Sequence, residues 1–91
     1  MRFDWDEAKA AANVTKHGVS FEEAATVFGD RLATTLLDPD HSDKEERWLT
    51  TGRSDQGRVL IVWHTNRDDA VRIIGARLVT ASERRAYESG E

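Results

Sequence analysis

The stretch GRVLIVWHT, residues 57–65, decides the fold of this chain. Its apolar residues run without interruption from Val59 to Trp63, whereas a strand with one face in water alternates apolar and polar residues. The run is short, rich in β-branched side chains and preceded by the turn signal SDQG, residues 54–57. It therefore predicts a central β-strand that is covered on both faces.

The segments on either side predict further strands. ERWLTTGRS, residues 46–54, alternates polar and apolar positions, and VRIIGARLV, residues 71–79, follows a second turn signal, NRDD, residues 66–69. The β-branched segment ATTLLD, residues 33–38, comes earlier in the chain. Successive strands joined by short turns predict an antiparallel meander.

A short strand and two helices are predicted before the meander. RFDW, residues 2–5, favours a strand, and DEAKAAANVTKHG, residues 6–18, favours a helix that ends at its glycine. SFEEAATVFG, residues 20–29, predicts a second helix, because Ser20 and Glu23 have the spacing of a capping box.

A third helix is predicted in TASERRAYES, residues 80–89, where Thr80 and Glu83 repeat the capping-box spacing. The predicted fold class is therefore α+β, a small antiparallel β-sheet packed by two N-terminal helices and one C-terminal helix. Segregated strands and helices of this kind predict that the helices cover one face of the sheet.

Length and composition predict a single soluble domain, residues 1–91. The chain has 38% hydrophobic and 33% charged residues, which is typical of a globular protein. It contains no cysteine, so disulfides and thiolate metal sites are excluded. Without a membrane-spanning apolar run or a signal peptide, we expect no membrane association and a cytoplasmic location.

The charge is unevenly distributed along the chain. The formal net charge is -4, which argues against a nucleic-acid partner. However, residues 1–46 hold eleven acidic and five basic side chains, whereas residues 47–85 hold eight arginines and four acidic side chains. Arginine suits planar, bidentate contact with phosphate or carboxylate, so a polyanionic ligand stays possible.

The arginines of the predicted sheet are the first candidates for a binding site. In a meander, Arg53 and Arg77 fall at the same end of the sheet, and Arg67 lies in a turn. If the last strand is regular, Arg72 and Arg77 point to opposite faces. For Arg58 and Arg72, a surface ion pair with a nearby acid explains the residue equally well.

Gly75 lies inside the last predicted strand and weakens it. Two explanations stay open: the glycine leaves room beside Arg77 for a ligand, or it marks a β-bulge.

Other polar residues have both a structural and a functional explanation. Lys16 and His17 stand where cations stabilise a helix end, yet histidine also serves as a general acid or base near neutral pH. Glu46 suits a salt bridge as well as catalysis. Tyr87 is four residues after Glu83, so its ring can pack on the sheet while its hydroxyl reaches a partner.

Metal and nucleophile sites are not predicted. The acidic segment DPDHSDKEE, residues 38–46, lacks the spacing and glycine of an EF-hand loop, and the three histidines lack the HExxH spacing. No serine stands in a GxSxG turn. Chemistry on a phosphate without metal or cofactor is the remaining possibility.

The sequence resembles the BrnT family, the toxin half of bacterial type II toxin-antitoxin pairs, which is related in fold to RelE-type ribonucleases. The resemblance rests on FDWDEAKAAANVTKHGVSFEEAATVF, residues 3–28, ERWLTTGRSDQGRVLIVWHTNR, residues 46–67, and RIIGARLVTASERRAYE, residues 72–88. One departure is Gly75, where the family usually has serine, giving RIISAR.

The resemblance implies a metal-independent endoribonuclease that is silenced by an antitoxin. It implies a ribbon-helix-helix antitoxin, similar to BrnA, whose dimer binds operator DNA. The candidate catalytic residues that it implies are Lys16, His17, Glu46, Arg53, Arg67 and Arg77. The candidate substrate-binding residues are Arg58, Arg72 and Tyr87.

The expected reaction is attack of a ribose 2′-hydroxyl on the adjacent phosphate. Arg53 and Arg77 would hold the phosphate oxygens, and Arg67 would position the RNA backbone. Glu46 or His17 would act as base, with Lys16 as acid or clamp.

Two alternatives to an enzyme stay open. The first is a nucleic-acid binder that uses the arginines without cutting, although Trp48 and Trp63 lie within apolar strands and do not suggest a platform for stacking bases. The second is a protein-interaction module whose arginines match an acidic partner.

Overall fold

The computed structural model describes residues 1–38, 40 and 45–90, which form five strands, three α-helices and one 3₁₀ turn. The strands are β1 (Arg2–Asp4), β2 (Thr34–Leu37), β3 (Trp48–Arg53), β4 (Val59–Arg67) and β5 (Ala70–Leu78). The helices are α1 (Glu7–His17), α2 (Phe21–Thr26) and α3 (Ala81–Ser89), and the 3₁₀ turn is Val27–Gly29. This order confirms the predicted α+β fold.

The strands form a single mixed sheet in the order β1-β5-β4-β3-β2. β2 to β5 are the predicted antiparallel meander, and β4 is its central strand. β1 pairs with β5 in parallel, so the sheet is not wholly antiparallel. A parallel pair requires a long connection, which the two N-terminal helices and the first strands of the meander provide.

Helices cover both faces of the sheet, which corrects the prediction of one covered face. Leu60 and Val62 of β4 join a buried cluster with Phe21 and Ala24 of α2. Ile61 points the other way and lies against α3. Because β4 has protein on both of its faces, its apolar residues run without interruption.

Local signals explain where the helices begin and end. The Asp6 side chain caps α1, and Gly18 ends it with φ of 67°. Thr80 and Glu83 form the predicted capping box of α3. At α2 Ser20 caps the Glu23 N–H, but the Glu23 carboxylate bonds to Ser54 and Arg58 in the turn between β3 and β4.

Two buried contacts fix the helices and the 3₁₀ turn against the sheet. The Asn13 amide of α1 accepts from the Ala76 N–H at 3.2 Å and donates to the Ala76 carbonyl at 2.9 Å, as a neighbouring strand would. Gly52 lies so close to the 3₁₀ turn that a Cβ there would come within 2.8 Å of a Val27 methyl carbon. Gly52 therefore permits β3 to approach.

A β-bulge interrupts the pairing of β4 with β5. Trp63 lies opposite Gly75, but its neighbour His64 lies opposite Ile73, so Ile74 is an extra residue on β5. The bulge agrees with the structural explanation of Gly75, which is next to the extra residue.

Candidate functional site

Arg53 and Arg77 lie at the same end and on the same face of the sheet. Arg53 is opposite Val59 and Arg77 is opposite Ile61, on the two sides of β4. Val59 and Ile61 are two residues apart, so the side chains of their partners share a face. Two strand spacings across the sheet and two residues along it separate the Cα atoms of the arginines by about 12 Å. The predicted placement of this pair is confirmed.

Glu83 of α3 holds Arg77. Two hydrogen bonds, Nη1 to Oε1 at 2.9 Å and Nη2 to Oε2 at 3.0 Å, join the guanidinium to the carboxylate. The guanidinium also lies over the Trp63 ring, 5.4 Å from its centroid. Hydrogen bonding from Arg77 lowers the pKa of Glu83 to about 2, although partial burial opposes the shift. The carboxylate occupies the position that a bidentate phosphate would take on Arg77.

Arg53 has a less occupied guanidinium. It donates from Nη1 to the Gly57 carbonyl at 3.0 Å and lies over the Tyr87 ring at 5.9 Å. Of the five predicted site arginines in strands β3 to β5 and their turns, it alone has no carboxylate within ion-pair distance among the described residues. Arg53 is therefore available to an anion without first losing a carboxylate partner.

Tyr87 links α3 to the loop before β2. Its hydroxyl donates to Asp30 Oδ2 at 2.5 Å, as predicted for a ring that packs on the sheet. Asp30 also accepts from the main-chain N–H groups of Arg53 at 2.8 Å and Leu32 at 3.0 Å. Burial alone would raise the pKa of Asp30, but these hydrogen bonds outweigh it and lower the pKa. Burial and the Asp30 contact raise the pKa of Tyr87.

The sequence prediction did not include Asp30. The residue follows Gly29 at the end of a helical segment, where an acid ordinarily faces water. Its partners are distant in sequence, since Arg53 and Tyr87 lie 23 and 57 residues away. No spacing pattern connects residues so far apart.

Arg58 contributes to a buried ion pair on the opposite face. Its Nε donates to Glu23 Oε2 at 3.0 Å, and its Nη2 donates to the Gly18 carbonyl at 3.0 Å. Glu23 is buried and also accepts from Ser54 at 2.7 Å. Hydrogen bonding from Arg58 lowers the pKa of Glu23 despite burial. The arginine is paired, as its structural explanation required, but with Glu23 and not with a neighbouring turn acid.

Lys16 and His17 end α1 immediately before Gly18, which bonds to Arg58. They therefore lie near the same end of the sheet as Arg53 and Arg77, on the side covered by α1 and α2. Lys16 is exposed and His17 half-buried. Neither side chain forms a hydrogen bond or an ion pair with Arg53 or Arg77 among the described residues.

Glu46 and Arg67 lie at the far end of the sheet. Arg67 ends β4, eight residues after Val59, which corresponds to about 26 Å along the strand. It forms an exposed pair with Glu45 at 3.1 Å. Glu46 precedes β3, at the end opposite Arg53. One phosphate cannot contact both ends, so the structure does not bring these two residues to the arginine pair.

Arg72 shares a face with Arg77, contrary to the prediction. Arg72 is opposite Thr65 and Arg77 is opposite Ile61, and residues four apart on β4 point the same way. The bulge at Ile74 is the physical reason, because the extra residue shifts the alternation. Arg72 pairs with Asp4 of β1 at 3.1 Å, so it has the ion pair that its structural explanation required.

A groove of about 250 Å³ runs between α3 and the sheet beside the arginine pair. Glu83 and Tyr87, which contact Arg77 and Arg53, form part of its wall. The other lining residues are Thr34, Leu36, Leu49, Thr51, Ile61 and Ala86. The groove joins an apolar surface to the polar contacts of both arginines.

The described residues contain neither a metal-ligand cluster nor a helix that could span a membrane. No group of three or more histidine, cysteine, aspartate or glutamate side chains among them is arranged to hold a metal ion. His41 and Asp43 of the acidic segment lie outside the described residues. None of the described helices has the length and apolar character that crossing a bilayer requires.

Comparison with protein families identifies the chain. The model of the family described as "Ribonuclease toxin, BrnT, of type II toxin-antitoxin system" matches residues 5–83. The chain belongs to the BrnT family. The match covers most of the sequence, including the arginine pair, Lys16 and His17, and it confirms the resemblance recognised in the sequence.

A solved structure supports the BrnT fold. The 1.1 Å crystal structure of the Brucella abortus ribonuclease toxin BrnT superimposes with a TM-score of 0.65 and 22% sequence identity. The alignment covers 88% of this chain and 97% of the Brucella chain. Curated protein sequences give no match. As a BrnT-family protein, the chain is a ribonuclease toxin of a type II system, which implies an RNA substrate and an antitoxin partner.

Proposed function

We propose that the chain cleaves RNA without a metal ion, by attack of a ribose 2′-hydroxyl on the neighbouring phosphorus. The 2′-oxygen bonds to phosphorus, the bond to the 5′-oxygen breaks, and the products are a cyclic phosphate and a 5′-hydroxyl. The observation that carries the proposal is the arginine pair, Arg53 and Arg77, side by side on one face with the Arg53 guanidinium unpaired by acid.

The arginine pair would stabilise the charge that builds up on the phosphate oxygens. Arg53 binds first, because its guanidinium has no carboxylate to exchange. Arg77 then exchanges Glu83 for phosphate, which offers the same planar, bidentate acceptor. Loss of one preorganised contact of this kind costs about 10² to 10³ in rate.

His17 is the better candidate for the base, with Lys16 as acid or clamp. Both residues lie at the end of α1, near the same end of the sheet as Arg53 and Arg77 but on its other face. Glu46 lies at the other end of β3. The roles predicted for Glu46 and Arg67 would require contact with a more distant part of the RNA, as would that of Arg72.

Arg58 and Tyr87 would support this site. Arg58 ties the end of α1 to β4 through Gly18 and Glu23, which keeps His17 in place. The Tyr87 ring lies under the Arg53 guanidinium.

The decisive experiment compares three purified variants on a labelled single-stranded RNA. Arg53→Ala and Arg77→Ala should each cut about 10² to 10³ times more slowly than wild type. Arg84→Ala, which removes an exposed arginine paired with Glu88, is the matched control and should keep full activity. Wild-type rates in both site variants would end the proposal.

Two further measurements test the chemistry. An RNA with a single 2′-deoxy sugar at the cleaved position should resist cutting, because the nucleophile is absent. Activity should persist in excess EDTA. Cleavage of the deoxy substrate, or loss of activity that a divalent ion restores, would contradict the mechanism.

The biological role proposed for this activity is inhibition of translation and growth in the cytoplasm. The proposed inhibitor is a ribbon-helix-helix antitoxin whose dimer also binds operator DNA, and the relation to RelE-type ribonucleases belongs to the same proposal. Induced expression should arrest growth, and co-expression of the protein encoded next to it should restore growth.

A non-catalytic nucleic-acid binder is the competing function. It uses the same two arginines, so binding alone does not distinguish it. A denaturing gel does, because a binder shifts RNA without producing fragments.

A further inference from the structure

We propose that Asp30 is a positioning residue for Arg53, which it orients through both the main chain and the Tyr87 ring. The proposal rests on the proposed function, in which Arg53 holds a phosphate oxygen. Asp30 does not belong to the candidate residues that sequence or family likeness supplied.

The geometry gives Asp30 two routes to Arg53. Its Oδ2 accepts the Arg53 N–H at 2.8 Å, which fixes the main chain at the last residue of β3. The same oxygen accepts the Tyr87 hydroxyl at 2.5 Å, which fixes the ring that lies under the guanidinium. One carboxylate therefore sets where the Arg53 side chain begins and what supports its charged end.

Asp30 achieves this without a hydrogen bond to the guanidinium, although the two opposite charges attract each other. Its carboxylate is bonded to main-chain N–H groups and a hydroxyl, and Arg53 donates instead to the Gly57 carbonyl. Arg77 differs, since its carboxylate partner binds the charged group directly. The arrangement orders Arg53 before a ligand arrives and leaves its guanidinium without a carboxylate partner, which is the purpose of preorganisation.

The anchoring of α3 supports the same inference. Every residue of α3 is at least partly exposed, so burial contributes little to holding the helix. Its contacts with the arginine pair come from Glu83 and Tyr87, one helical turn apart. Without Asp30 the Tyr87 end of α3 loses its hydrogen bond, and the support under Arg53 becomes mobile.

The variant that tests the proposal is Asp30→Asn, with Asp55→Asn as the matched control. Asp55 is an exposed acid beside Arg53 in the turn after β3, so its substitution removes the same charge nearby without touching Tyr87. Asp30→Asn should lower kcat on a labelled oligoribonucleotide by roughly 10- to 10²-fold, with KM changed much less, because a misplaced group weakens transition-state contacts. Asp55→Asn should leave both parameters unchanged.

A double-variant cycle separates positioning from general destabilisation. In the Arg53→Ala background, Asp30→Asn should have little further effect on kcat, because its target is already absent. An equal loss in both backgrounds would overturn the proposal. If Asp30→Asn does not fold, Tyr87→Phe replaces it in the same cycle, since that change removes one of the two routes.

A spectroscopic measurement reads the contact directly. The chain has a single tyrosine, so ultraviolet titration reports Tyr87 alone. In Asp30→Asn the pKa of Tyr87 should fall toward its ordinary value of 10.0. If the pKa of Tyr87 is unchanged in an Asp30→Asn variant that still cuts RNA, the proposed contact between Asp30 and Tyr87 is wrong, while the proposed function stands. Wild-type protein that cuts no RNA would instead overturn the proposed function, and the catalytic role of Asp30 with it.

Discussion

Acid should destabilise this protein through a single buried histidine. His64 lies in β4 with 4% of its surface exposed, against the Phe28 ring and bonded through Nε2 to the Thr50 hydroxyl at 2.8 Å. Burial lowers the pKa of His64 from 6.5 to about 4. Between these values the unfolded chain binds a proton that the folded chain excludes, so stability falls as the pH falls.

The size of the effect follows from the two pKa values. From pH 7 to pH 5 the linkage relation gives a loss of about 2 kcal/mol in the free energy of unfolding. Carboxylates contribute little in this window, because their ordinary pKa values in the unfolded chain lie near 4. The lowered pKa values of Glu23, Asp30 and Glu83 therefore affect stability mainly below pH 5. The pH range therefore isolates the histidine.

Urea unfolding followed by tryptophan fluorescence measures this loss. Wild type should lose about 2 kcal/mol between pH 7 and pH 5, and His64→Gln should lose little, because glutamine does not titrate. His17→Gln keeps the buried imidazole and should behave as wild type. Parallel losses in wild type and His64→Gln would refute the reasoning.

Three other substitutions test individual contacts. Glu83→Gln keeps the helix cap but removes the carboxylate that holds Arg77. Single-stranded RNA should therefore bind several-fold more tightly, as measured by fluorescence anisotropy at low salt. Weaker binding would contradict competition between the Glu83 carboxylate and phosphate for Arg77. Gly75→Ser should fold and should raise the free energy of unfolding, measured with urea, by roughly 0.5 to 1 kcal/mol, because a Cβ at position 75 has room, with the nearest atom at 3.8 Å. A marked loss of stability would contradict this reading of the space around Gly75. Arg58→Ala should lower the free energy of unfolding by about 3 kcal/mol, because it leaves the buried Glu23 carboxylate unpaired. The double variant Arg58→Met with Glu23→Gln should recover most of that stability. An equal loss in both variants would exclude the ion pair as the cause.

Local signals were sufficient to predict most of the fold. The apolar run of β4, the turn signals around it and the caps at Gly18 and Thr80 each depend on a few adjacent residues. The parallel pairing of β1 was not predictable in this way, because a strand of three residues carries no periodic pattern. The placement of α3 on the opposite face also depends on tertiary packing.

The site was predictable only in part, for a related reason. Strand alternation placed Arg53 and Arg77 correctly at one end of the sheet. Ion-pair partners depend on residues brought together by folding: Glu23 and Arg58 are 35 residues apart. Arg67 was assigned to the site by the family resemblance, although it lies at the opposite end of β4.

The extra residue, Ile74, decides whether Arg72 and Arg77 lie on the same face of the sheet. If β5 kept its length but lacked the bulge, strict alternation over the five steps from Arg72 to Arg77 would make the two arginines face opposite ways. One of them would enter the layer packed by α1 and α2. Substitutions that keep the bulge preserve the arrangement, whereas a change that straightened β5 at unchanged length would bring the charge of one arginine into the core layer.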